Sequence, residues 1–65
     1  VIDVSKLKKK LGAEWVNYHI YETHVHVHGV YGGEYFVCNL SIYQLFARED
    51  ADDRVGYVVE RIRHD

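Results

Sequence analysis

The 65-residue chain contains no proline, no methionine and one cysteine, Cys38. A lone cysteine excludes an internal disulfide and any zinc finger built on cysteine pairs. It suits a reducing compartment, which gives the expectation of a cytoplasmic location, or simply a buried small hydrophobe. Without proline, punctuation falls to glycine and to helix-capping side chains. No apolar run approaches the ~18 residues of a membrane span, and no membrane partner is expected. The start, from Val1 to Lys6, lacks a basic segment followed by a long apolar one and does not read as a signal peptide. No glycine-rich phosphate loop follows a strand pattern, and no serine or cysteine stands in a nucleophile elbow. No catalytic residue is assigned, and the chain is expected not to be an enzyme.

Charge is also scarce as a net quantity, at −2. That balance argues against a dedicated nucleic-acid binder. The distribution is uneven: Lys6, Lys8, Lys9 and Lys10 cluster early, and Glu49, Asp50, Asp52 and Asp53 cluster late. Both clusters read as solvated helix faces or turns. The length allows one domain, residues 1–65, which buries only roughly 60% of its unfolded surface. Such a domain needs tight packing, oligomerisation or a ligand.

Helical spacing appears at both ends. Asp3 reads as an N-cap, Val4, Leu7 and Leu11 follow at helical intervals, and Gly12 is placed to stop the helix. Ser41 to Gln44 matches a capping box, after which Ile42, Leu45 and Phe46 form a short apolar stripe. Val55, Val58, Val59 and Ile62 form a longer stripe. The acidic stretch 49–53 reads either as a break, with Asp52 or Asp53 as a new N-cap, or as part of one long helix. A strand over 54–63 fits the spacing less well.

Between the ends the period is two. Val16, Tyr18 and Ile20 share one phase, which shifts after Glu22-Thr23 so that Val25 and Val27 continue it. Gly32-Gly33 is a strong two-residue hairpin signal, and Glu22-Thr23 is a poor one. Tight turns at both places pair Ile20 with Val25, Tyr18 with Val27, Val27 with Cys38 and Val25 with Leu40. One face then carries Val16, Tyr18, Ile20, Val25, Val27, Phe36, Cys38 and Leu40, and no charge. Two independently chosen turns agree on it. The expected architecture is α+β. An N-terminal helix leads into a three-stranded antiparallel meander, and one or two C-terminal helices pack on the same sheet face. Leu7, Leu11, Leu45, Phe46, Val58 and Ile62 are expected to cover it.

The opposite face carries the sharpest local pattern, His24, His26 and His28 alternating with Val25 and Val27. The register adds Trp15, Asn17, His19, Tyr21, Val30, Tyr35, Val37 and Asn39. Solvent-facing strands ordinarily use lysine, glutamate and threonine, so this composition points to a docking surface. Large rings with polar tips suit the centre of a protein contact. The candidate interface is Trp15, His19, Tyr21, His24, His26, His28, Tyr35 and Val37, facing a protein partner or a second copy. A further alternative is a zinc, nickel or copper ion held by His19, His24, His26 and His28, since opposed residues stand ~5 Å apart. No cofactor beyond such an ion is implied.

The runner-up to a protein contact is single-stranded nucleic acid on the same face, with bases stacked on the rings and phosphates met by Lys6, Lys8, Lys9, Lys10, Arg61 and Arg63. The helix–three strands–helix order and the length are similar to those of the double-stranded RNA-binding domain, which implies a nucleic-acid partner. That family places a lysine cluster at the start of its last helix. This chain has Ser41-Ile42-Tyr43-Gln44 there and then acidic residues, so the phosphate clamp has no counterpart.

Overall fold

A computed structural model describes residues 2–64. The order is α1 (Val4–Leu11), β1 (Trp15–Ile20), β2 (His24–Tyr31), β3 (Glu34–Ser41), α2 (Ile42–Phe46) and α3 (Ala51–His64). The α+β expectation is met: an antiparallel sheet in the order β1-β2-β3 packs its inner face against the helices. The register matches residue for residue, with Ile20 opposite Val25, Tyr18 opposite Val27, Val27 opposite Cys38 and Val25 opposite Leu40.

Local chemistry accounts for most boundaries. The Asp3 carboxylate accepts from the Lys6 amide at 3.2 Å, and Gly12 takes the left-handed conformation (φ 79°) that ends α1. The Ser41 hydroxyl accepts from the Gln44 amide at the start of α2. Gly32 and Gly33 both have positive φ, 62° and 79°, as a type I′ hairpin turn requires. A type I′ turn leaves an outward amide at its third residue. Here Glu14 takes it, its carboxylate accepting from Gly33 N–H at 2.9 Å.

The other hairpin has no such sequence help. Glu22-Thr23 closes it with Tyr21 N–H donating to the His24 carbonyl at 2.8 Å, without any positive φ. The amide of Ile42 donates to the Thr23 carbonyl, so the start of α2 holds this turn in place. A tertiary bond thus supports a turn that its residues do not favour.

The core is Leu7 and Leu11 from α1, Val16, Val25, Val27, Cys38 and Leu40 from the sheet, and Leu45, Val55, Val58, Val59 and Ile62 from the later helices, joined by Ile2 and Ala13. Gly29 completes it. A Cβ there would lie 2.3 Å from the Trp15 carbonyl oxygen and 2.9 Å from Val16 Cα, so only glycine lets β1 approach this closely.

Three expectations need correction. Ile20 belongs to the inner face by alternation but is 45% exposed, because it ends an edge strand with no strand beyond it. Phe46 is 39% exposed, and the Arg54 guanidinium, 5.2 Å from its ring centre, covers it in place of the core. The acidic stretch is a break, but its capping residue is Asp50, whose carboxylate accepts from the Asp52 amide at 2.7 Å. Asp52 and Asp53 instead occupy the first turn of α3, where negative charge meets the positive end of the helix dipole.

Candidate functional site: the outer sheet face

The strands lay the outer residues in four rows, read from β1 through β2 to β3: Trp15, Val30, Tyr35; then Asn17, His28, Val37; then His19, His26, Asn39; then Tyr21, His24, Ser41. None of the twelve positions is lysine, arginine, aspartate or glutamate. Strand alternation alone places them, since each inner valine turns its histidine neighbours outward.

Their rings touch one another across the rows. His28 is the hub. Trp15 meets it edge-on at 5.5 Å between centres, His19 stacks on it at 5.9 Å, His26 lies at 5.4 Å and Tyr35 at 6.3 Å. The Tyr35 hydroxyl is 3.5 Å from His28 Nδ1. At the far end Tyr21 stacks on His24 at 4.8 Å and meets His26 edge-on. The register puts His19 directly opposite His26, yet His19 stacks on the diagonal His28. A diagonal neighbour across a twisted sheet lies within reach of a long ring.

One polar contact orients the centre. His26 Nδ1 is 3.1 Å from the side-chain amide oxygen of Asn39, Oδ1. An amide oxygen accepts, so this contact suits the tautomer with the proton on Nδ1. Asn39 had no role in the sequence reading beyond its place on the face. Its position opposite His26 is the signal that locates it.

The rings form a wide surface of mixed accessibility. Tyr35, Tyr21, Val37 and Trp15 are the exposed rim, Tyr35 most of all at 62%, and His24, His26 and His28 are half-buried between them. The four histidines proposed as ligands are not drawn to one point, since His24 lies over Tyr21 while His19 and His26 adjoin His28. Among the described residues no group of three or more histidine, cysteine, aspartate or glutamate side chains is gathered in a metal-holding arrangement.

The cations occupy the other layer. Lys6, Lys9 and Lys10 line a groove of about 320 Å³ with Asp52 and Val55, between α1 and α3. Lys8 and Lys9 border a second hollow with Ser5, Gly12 and Ala13. Lys6 pairs with Asp52 at 3.2 Å, and Arg63 donates to the Lys10 carbonyl, tying the end of α3 to α1. Arg61 lies in the same last turn of α3. The helices stand on the inner side of the sheet, so these groups and the rings belong to opposite layers. Among the described residues no helix is long and apolar enough to cross a membrane. No protein-family model, curated protein or solved structure matches the chain.

Proposed function

We propose that the chain is a small protein-interaction module without catalytic activity, and that its outer sheet face is the contact surface for another protein or a second copy. The observation that carries the reading is the continuous set of touching rings from Trp15 to Tyr21, spread over a face without lysine, arginine, aspartate or glutamate. Rings that already pack on one another lose little side-chain freedom on docking, which lowers the entropic cost of binding. Their polar edges, the imidazole nitrogens and tyrosine hydroxyls, tolerate water in the free state and accept or donate bonds in the bound one.

The protein reading stands ahead of single-stranded nucleic acid because base-stacking surfaces work beside phosphate-binding cations. Here the lysines and the rings lie in different layers. It stands ahead of a metal site because His24 stacks on Tyr21 and does not join the other three imidazoles.

A photoreactive amino acid at position 21, or in its place at position 8 on the helical layer, tests this in living cells. Position 21 is expected to give covalent protein adducts, and position 8 few. Adducts to nucleic acid from position 21 would replace the reading. So would a rise in the thermal midpoint on adding zinc, or quenching of Trp15 emission by a micromolar oligonucleotide.

A further inference from the structure

The two edges of the sheet differ. Tyr21 and His24 are a hydrogen-bonded pair, so the odd residues of β1 bond inward to β2 and the amides of Val16, Tyr18 and Ile20 point away from the sheet. The middle one is already used: the Asn17 side-chain oxygen accepts from Tyr18 N–H at 2.8 Å. On the other side, the type I′ turn makes Tyr31 and Glu34 a hydrogen-bonded pair. Even residues of β3 therefore bond to β2, and Tyr35, Val37 and Asn39 direct their amides and carbonyls outward. No side chain among the described residues occupies those amides.

That edge also lacks the usual protection. Natural edge strands are short, or carry lysine, proline or a bulge. β3 runs eight residues, its pairing with β2 is unbroken, and no charged residue or proline falls between Tyr35 and Ser41.

We infer that β3 pairs antiparallel with β3 of a second copy, making a closed six-stranded sheet. The inference concerns the edge and does not depend on what covers the outer face. Outward-bonding residues must meet outward-bonding residues. A two-fold axis through Val37 satisfies this, setting Val37 against Val37, Tyr35 against Asn39 and Glu34 against Leu40. The two Glu34 carboxylates then sit at opposite ends of the junction, so no like charges face each other. An axis perpendicular to the sheet keeps both outer faces on one side and joins them into a single surface. A second copy fits better than an unrelated strand because this self-match needs no charge on the partner and pairs residues 34–40 along their whole length. Growth stops at two, because the far edge on each side is β1, with its central amide taken by Asn17.

Val37→Pro removes the amide at the axis without touching the β2–β3 ladder, which does not use it. Val37→Thr keeps the amide and the branched shape. Sedimentation equilibrium of the full chain is expected to show a dimer for the parent and for Val37→Thr. Val37→Pro should raise the dissociation constant about 100-fold, by loss of the symmetric bond pair at the axis. Amide exchange gives a second readout that needs no variant: the amides of Tyr35, Val37 and Asn39 should become protected as concentration rises, while those of Phe36 and Cys38 are protected throughout. A parent that stays monomeric with these three amides freely exchanging would overturn the inference. Protection appearing only on adding an extended peptide would do so as well. Tyr21→Glu separates the surfaces. If Tyr21→Glu dissociates the dimer and Val37→Pro does not, copies meet through the outer face, and the edge inference fails while the face reading survives.

Discussion

The two faces of one sheet are built from the same three strands by the same alternation, yet different physics governs them. On the inner face Val25 and Val27 are fully buried and Cys38 and Leu40 nearly so, and volume decides what fits. On the outer face their immediate neighbours, His24, His26, His28, Val37 and Asn39, meet one another as rings and amides at half-burial or full exposure. The inner face is explained by folding alone. Nothing in the packing of the domain requires rings on the outer face, and that surplus is what makes it a candidate for function.

The contrast can be tested with neighbouring residues. Leu40→Ala is expected to cost about 3 kcal/mol, since it empties a site walled by sheet and helices. Its cross-strand diagonal on the outer face, His26→Ala, should change stability by less than about 1 kcal/mol. Denaturant unfolding of both variants measures the gap, and equal losses would mean that the ring layer is a second core.

A sharper test lies within β2. Gly29→Ala should cost about 2 kcal/mol, because its methyl must displace the backbone of β1 at Trp15 and Val16. Val30→Ala, one residue on but facing outward, should be nearly neutral. If both are neutral by thermal unfolding, the close approach of β1 to β2 is not needed for folding.

The smallest expected effect concerns the helical layer. The hydrogen bond that Lys6 donates to the Asp52 carboxylate, and then the negative charge of that carboxylate, raise the Lys6 pKa above its ordinary 10.5. A raised pKa means that the pair's stabilisation is fully present below the unfolded-state value and is lost as pH rises through the folded one. The thermal midpoints of the parent and Lys6→Ala should therefore differ slightly near neutrality and converge as pH rises through the raised Lys6 pKa. Added salt should narrow the difference, because the pair is exposed. A difference unchanged by pH and salt would place the effect in the Lys6 methylenes instead.

The sequence was most legible where structure is local. The capping by Asp3, Gly12 and Ser41, the Gly32-Gly33 turn and the alternation of histidine with valine each depend on residues a few positions apart. Together they determined the register, and hence which residues share the outer face. Tertiary structure decided the rest. The end of the edge strand left Ile20 exposed, and Phe46 met the Arg54 guanidinium in place of the core, neither of which a count of spacing contains. Twist of the sheet set His19 on His28 and not on its register partner. The hold of Ile42 on the Glu22-Thr23 turn, and the bond from Gly33 to Glu14, join residues 19 positions apart. Hydrogen-bond alternation, once both turns had chosen which amides face inward, left outward amides on both edges, and the Asn17 side chain took the central one on β1. Periodicity assigns a side to each residue, but contact between sides requires the chain to have come back on itself.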